Sequence, residues 1–275
     1  MKDERNPERD YVIGTHDEEL ERLGVQHRVW RPRVLECWRR AGITRGSRVM
    51  DVGAGPGYAT VDLAEIVEDV GQVIAVERSA HFLRAAREAC RLRSLAHVRF
   101  REIDLMEEAL GPGELDGVWC RWVACFVSSP ATLVEQIAAS LRRGGVTIFH
   151  EYIDYGAWRL APRRPAVESF VSEVMASWRE AGGEPDVALA LPTLLGRAGL
   201  RVRHVCPIVY AVTPADFIWQ WPSGFLKGYL PRLLELGRVS ASWVEAVGRE
   251  FQEAEADPHT IMVTPVLLEI IAERE

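Results

Sequence analysis

The sequence predicts an α/β fold, a parallel, doubly wound sheet wrapped by helices. Three observations carry this. Short apolar runs alternate with stretches of helical length and period between residues 46 and 150. The first run, Val49 to Val52, leads into a turn with glycine at Gly53, Gly55 and Gly57. The chain of 275 residues is 48% apolar and 27% charged, ordinary for a globular protein with one large domain or one domain plus a cap.

The elements follow in order. Residues 16–42 read as a helix, with Leu20, Leu23, Gly24, His27, Trp30 and Leu35 on an imperfect apolar stripe interrupted at Pro32. Such a helix could close over one side of a ligand. Arg22, Gln26 and His27 are its polar residues that could face inward, although charged helix positions are mostly solvated; Gln26 is kept as a cofactor contact. Strand one is Arg48–Val52, followed by a helix over Tyr58–Glu68. Strand two is Gln72–Val76, with Glu77 at its tip. Ser79 has the residue type of an N-cap for the helix Ser79–Cys90. Strand three is Val98–Glu102, followed by Asp104, and strand four is Gly117–Cys120. A helix over Ala131–Leu141 is ended by Gly144 and Gly145, and strand five is Val146–His150. Ligands on such sheets bind outside the carboxyl ends of the strands. The residues to inspect are therefore Gly53–Gly57, Glu77, Asp104, Arg121 and His150–Tyr152.

Past strand five, helices are expected over Ala166–Ala181 and Leu191–Ala198, then a strand over Leu200–Pro207 and a final strand over Val263–Ala272. Between those two strands lies the most aromatic part of the chain, with Phe217, Trp219, Trp221, Phe225 and Tyr229. Thr213, Pro214 and Asp216 suggest one helix start there, and Ser240 or Ser242 another. The expected organisation is an N-terminal helical segment over 1–45 that covers the ligand, and a core over 46–207 and 261–275. The core includes a helical insert at 153–187, and 208–260 form a helical cap.

Several classes are disfavoured. Net charge is −7 and no basic stripe is evident, against a nucleic-acid partner. No run of about 18 apolar residues exists, so no membrane span is expected. The first ten residues are charged and lack an apolar signal-peptide region, which suggests a frayed start. Cys37, Cys90, Cys120, Cys125 and Cys206 are odd in number and show no CxxC spacing. They read as reduced thiols of a cytoplasmic protein, with neither a disulfide framework nor a metal site.

The glycine turn narrows the ligand. A GxGxxG dinucleotide turn needs glycine at position 58, which is Tyr58, and a phosphate-binding loop needs Gly-Lys-Ser/Thr, which is absent. The pattern is DxGxGxG from Asp51 to Gly57, with a second acid, Glu77, where a nucleoside presents its ribose hydroxyls.

In these motifs the chain resembles the class I S-adenosylmethionine-dependent methyltransferases, in their type 11/12 group of small-molecule enzymes. VMDVGAGPGYAT resembles the first motif, VIAVERS the second, REIDL the third, and LDGVWCRWV and LRRGGVTIFHEY the fourth and fifth. The resemblance implies a Rossmann-like, seven-stranded sheet with its last strand antiparallel, and it makes the excursion 208–260 an insertion between strands six and seven. It also implies that Gly53, Ala54 and Gly55 pass under the methionine part of the cofactor, with Asp51 and Gly57 in the same turn. Glu77 would accept from both ribose hydroxyls, Arg78 would lie along the adenine edge, Asp104 would accept from the adenine amino group, and the Leu105 N–H would donate to a ring nitrogen. Arg121 could reach the methionine carboxylate.

Methyl transfer from a sulfonium needs alignment and exclusion of water, and a general base where the acceptor is weakly acidic. His150, Glu151 and Tyr152 are the expected catalytic candidates, with Tyr155 beside them and His259 more remote; strand phase leaves open which of His150 and Glu151 faces the cleft. No Asn/Asp-Pro-Pro-Tyr/Phe follows strand four, no Mg²⁺-binding acid set is placed there, and no cysteine cluster of an arsenite enzyme exists. Trp122, Tyr155, Phe217, Trp221 and Phe225 are expected to line a pocket for a small apolar or aromatic substrate, methylated on O, N or C. The alternatives are an RNA or protein methyltransferase, and a relative that binds S-adenosylmethionine without transferring methyl.

Overall fold

The computed structural model describes residues 17–111 and 113–275; the expected frayed start lies outside the described residues. Helix α1 (Asp17–Ala41) runs through Pro32 without a break. The alternating core follows as β1 (Arg48–Val52), α2 (Tyr58–Val67), β2 (Gln72–Glu77), α3 (Ala80–Leu92), β3 (Val98–Glu102), β4 (Leu115–Arg121), α4 (Pro130–Ser140) and β5 (Leu141–Asp154). The chain then forms β6 (Arg159–Ala161), α5 (Pro165–Glu180), α6 (Leu191–Arg197), β7 (Leu200–Ile208), β8 (Ala211–Val212), α7 (Gln220–Glu235), α8 (Ala241–Ala256), β9 (Ile261–Val263) and β10 (Val266–Arg274).

The main sheet has seven strands in the order β3-β2-β1-β4-β5-β10-β7. β1 to β5 pair in parallel, and β10 enters antiparallel to both β5 and β7. Parallel strands covered on both faces need near-continuous apolar runs, and β1 supplies one, with Val49, Met50, Asp51 and Val52 all buried. The order reverses at β1, where β2 and β4 flank it, and this opens a crevice at the strands' carboxyl ends. Between β7 and β10 the chain forms β8, α7, α8 and β9, so the segment expected as a helical cap carries two short strands besides its two helices.

Two local expectations are revised, one feature was not expected, and the orientation of the polar residues of α1, left open by the sequence, is decided. β5 begins at Leu141 directly after α4, so Gly144 and Gly145 lie inside the strand. The last apolar run is divided at Thr264 and Pro265 into β9 and β10. β6, β9 and β8 make a second, three-stranded sheet that two- and three-residue strands do not announce in sequence. Arg22, Gln26 and His27 face inward, because α1 is clamped to the core: Tyr58 Oη donates to the Leu20 carbonyl (3.0 Å), and the Asp62 carboxylate on α2 meets His27 Nε2 (3.0 Å) and accepts from Arg31 Nε (2.8 Å). Lower on α1, Trp30 and Trp38 are fully buried, and Trp38 meets Trp119 edge to face at 5.3 Å. Each such side chain contributes on the order of 2–3 kcal/mol by burial.

Candidate active site

A cavity of about 730 Å³ lies at the carboxyl ends of β1, β2, β4 and β5, roofed by α1 and α7. It brings together Gln26, Asp51, Gly53, Ala54, Gly55, Glu77, Arg78, Asp104, Leu105 and Arg121 at one end, and Trp122, Tyr152, Tyr155, Trp221 and Phe225 at the other.

The turn after β1 makes the first end. Gly53 has φ +66° and a Cβ there would lie 2.3 Å from Val123 Cγ2, while Gly55 has φ +54° and a Cβ on it meets nothing within 4 Å. Gly53 is thus needed to seat the turn against the loop after β4, whereas Gly55 leaves an open face toward the cavity. Gly53→Ala is expected to destabilise the fold by about 1–3 kcal/mol, seen as a lowered urea midpoint; an unchanged midpoint contradicts this placement. Gly57 (φ +84°) is the N-cap of α2 and packs against Ala86 of α3, where a Cβ would approach to 2.6 Å. It is absent from the cavity wall, so its assignment as a cofactor contact is corrected to a packing role.

Glu77 is held by three backbone amides. Its Oε1 accepts from Arg78 N (2.8 Å) and Ser79 N (2.9 Å), and its Oε2 from Gly55 N (3.0 Å). A carboxylate has about four lone-pair directions, so roughly one remains for a ligand hydroxyl unless the Gly55 bond gives way. Burial raises the Glu77 pKa, and the amides oppose that rise. Asp51 accepts from Thr60 Oγ1 at 2.6 Å, and burial pushes it up to about 6 despite that bond and the nearby Arg121 charge. Asp104 accepts from Met106 N (2.9 Å), which folds the turn after β3, and its other oxygen lies 3.9 Å from Arg78 Nη1. Gln26 Oε1 accepts from Arg22 Nη1 at 3.0 Å.

Arg121 lies over the Trp122 ring (5.0 Å) and the Trp119 ring (5.7 Å), with Nη2 3.5 Å from His27 Nδ1. Burial lowers its pKa to about 10, partly offset by Asp51 and Asp62, so it stays charged at neutral pH. Its Nη1 is buried and finds no acceptor among the described residues. A buried cationic donor without an acceptor is costly, and an anionic group in the cavity would satisfy it.

Trp122 directly follows β4 with φ +52°, a strained conformation for a bulky residue. Glu151 Oε1 holds the adjoining loop by accepting from Val123 N (2.8 Å) and Ala124 N (2.9 Å). The result is an indole stacked between Tyr152 (5.9 Å) and Trp221 (5.7 Å). Tyr152 meets Tyr155 edge on at 4.8 Å, and Tyr155 packs on Trp178 at 5.1 Å. Burial pushes both phenols well above the usual tyrosine range.

The structure separates the expected catalytic trio. Tyr152 lines the cavity, but His150 and Glu151 do not. Glu151 is spent on the loop amides, and burial raises it to about 7. His150 Nε2 lies 3.1 Å from Glu269 Oε2 on β10, enclosed against Trp119, and burial lowers its pKa. Being neutral beside an ionised carboxylate, it donates that proton to Glu269. His150 and Glu151 are therefore corrected from catalytic to structural positions. The ligand atoms of Cys37, His150 and Glu269 come within 4.8 Å of one another, yet Arg33 Nε (3.1 Å) and Arg40 Nη1 (2.9 Å) already pair with that carboxylate. Phe217 is 46% exposed and outside the cavity wall, so its assignment to substrate is also corrected. It precedes α7, whereas the helix face carrying Trp221 and Phe225 turns inward. His259 likewise lies outside the wall.

Trp158, one of the aromatic residues expected from sequence to supply a pocket lining, does line the cavity, and so do Phe126 and Trp178, which sequence reading did not assign to the site. Trp178 sits on a helical stripe with Phe170 and Val174 that reads equally well as core. The five cysteines are all free thiols. Among the described residues no helix is long and apolar enough to cross a membrane.

Residues 50–149, from within β1 to within β5, match a family model described as a methyltransferase domain. A ubiquinone biosynthesis O-methyltransferase of Bordetella bronchiseptica is 32% identical over 165 residues, covering 53% of this chain and 65% of that protein. The chain spans 34% to 65% of the length of the first curated relatives it matches. Among solved structures, the cyclase SpnF superposes with a TM-score of 0.56 at 18% identity, over 86% of this chain and 79% of the other. An N-methyltransferase from Haemonchus contortus, in complex with S-adenosylhomocysteine, gives 0.57 at 18% identity, over 91% and 56%. These two likenesses concern the fold. The match over residues 50–149 and the seven-stranded sheet with β10 antiparallel support a methyltransferase domain of the class I, S-adenosylmethionine-dependent type in this part of the chain.

Proposed function

We propose that the protein transfers a methyl group from S-adenosylmethionine to a small apolar or aromatic molecule in the cytoplasm. One observation carries the reading: a single cavity has a nucleoside-type seat at one end and an aromatic wall at the other. The cofactor, when bound, supplies an electrophilic methyl on a positively charged sulfur. The residues fit it. The open face of Gly55 lets a ligand approach the backbone, Glu77 offers an acceptor for a ribose hydroxyl, and the buried Arg121 Nη1 seeks an anion such as a carboxylate. The protein's contribution is alignment and dryness: α1 and α7 roof the cavity, and the stacked rings of Trp122, Tyr152 and Trp221 fix a planar or apolar acceptor. An enclosed aromatic wall and a net charge of −7 fit a small molecule better than RNA or a protein chain.

A second reading is supported by the loss of His150 and Glu151 from the cavity: the protein binds the cofactor without transferring methyl. A shared fold with a cyclase is compatible with that. Incubation with methyl-labelled S-adenosylmethionine and a panel of apolar hydroxyl, amine and carbon acceptors decides between them. Label in the acceptor together with released S-adenosylhomocysteine is the expected result. Tight cofactor binding with no transfer to any acceptor supports the second reading.

A further inference from the structure

The aromatic end of the cavity has a one-sided hydrogen-bonding inventory. Indole nitrogen is donor-only, and Trp122 Nε1 and Trp158 Nε1 are both buried without an acceptor among the described residues. Tyr152 and Tyr155 line the same end, and neither hydroxyl has a hydrogen-bond partner among the described residues. Their raised pKa keeps them protonated, hence able to donate. Against these donors stands little acceptor capacity. Glu19 is closed in a two-bond pair with Arg22, at 2.6 Å to both Nε and Nη2. Glu151 and His150 are turned to the loop and to Glu269.

The aromatic faces could in principle draw a cationic ligand. Two protein cations already occupy that role: Arg22 lies 5.8 Å from the centre of the Phe225 ring, and Arg121 5.0 Å from that of Trp122. An ammonium would meet like charge and no open carboxylate. Among the described residues, the carboxylates of the cavity wall other than Glu19 lie on or just after β1, β2 and β3 at the cofactor end, so a neutral nucleophile at the aromatic end has no free base beside it.

We propose that this end of the cavity binds an apolar or aromatic molecule carrying an acidic hydroxyl, a phenol or an enol, through its ionised oxygen. The assignment rests on the methyl-transfer reading above and specifies oxygen as the methylated atom. The hydroxyl proton leaves to solvent on binding. The oxygen lone pair then forms the bond to the methyl carbon as the carbon–sulfur bond breaks, and that bonding pair stays on sulfur. Tyr152 and Tyr155 donate to the oxygen and hold its charge, so no general base is required.

The test uses the full-length protein and chromogenic phenols, 4-nitrophenol and 4-nitro-1-naphthol, titrated by absorbance with and without protein. The bound phenols are expected to be about tenfold more acidic than the free ones, the result of donors facing the anion. They are also expected to bind at least about tenfold more tightly than 1-naphthylmethylamine, since like charges repel in an enclosed site. Tyr155→Phe and Tyr152→Phe, which keep the ring packing, should each remove part of the acidity shift. An unchanged or weakened acidity, equal binding of the amine, or no binding by either phenol overturns the proposal. Release of S-adenosylhomocysteine is followed separately. An acidity shift without turnover on any phenol supports the ligand class and sinks methyl transfer. Turnover on amines without the shift does the reverse.

Discussion

Glu77→Ala is expected to weaken binding of S-adenosylmethionine and S-adenosylhomocysteine at least about tenfold, a loss of about 1.4 kcal/mol or more. It should also destabilise the ligand-free fold by roughly 2–4 kcal/mol, because the three amides of Gly55, Arg78 and Ser79 lose a common buried acceptor. Glu77→Gln separates the two effects. Its carbonyl can keep the Arg78 and Ser79 bonds made by Oε1, while its amide nitrogen replaces Oε2 opposite the Gly55 N–H and the ligand. The Gln variant should therefore retain more stability than Ala yet bind ligand as poorly. Calorimetric titration and urea unfolding of both variants check this, and wild-type affinity in Glu77→Ala contradicts a ribose-binding role.

This residue also shows what local sequence can express. Glu77 was legible because strand period and glycine spacing fix where the chain turns, and a turn's position decides which side chain stands at a strand tip. The reversal of strand order at β1 was legible for the same reason: alternation of strand and helix admits few topologies. His150 and Glu151 were not, since adjacent residues on a strand point to opposite faces. Which face meets the cavity depends on β10, whose partner Glu269 lies 119 residues away in the chain. Phe217 and Phe225 are both aromatic residues of the cap, and only the inward face of α7 distinguishes them. Nor does a helical pattern tell a solvated arginine from Arg22, which depends on Glu19 and on the facing α7.

The same long-range pair gives the other large effect. Glu269 is fully enclosed, and its carboxylate meets Arg33, Arg40, His150 and His204, which joins α1, β5, β7 and β10. Burial would raise its pKa, but the hydrogen bond from His150 and the charge of Arg33 prevail and hold it at about 2, below the ordinary 4.5. A depressed folded-state pKa means that the ionised form is preferentially stabilised by folding. This contribution is fully present above about pH 4.5 and is lost as pH falls toward 2. The shift corresponds to about 3 kcal/mol, reduced by screening at the partly exposed Arg40 and His204. Glu269→Ala removes the acceptor and leaves two guanidinium groups beside an apolar sheet face, so a loss of about 3–5 kcal/mol at pH 7 is expected. The difference between wild type and variant should shrink as pH drops from about 4.5 to 2, because the wild-type carboxylate then takes a proton and surrenders the same interactions. Urea midpoints of both proteins measured across that range test the sign. A pH-independent difference would assign the loss to side-chain packing, and Glu269→Gln, nearly equal in volume, would then stay close to wild type instead of following the alanine variant.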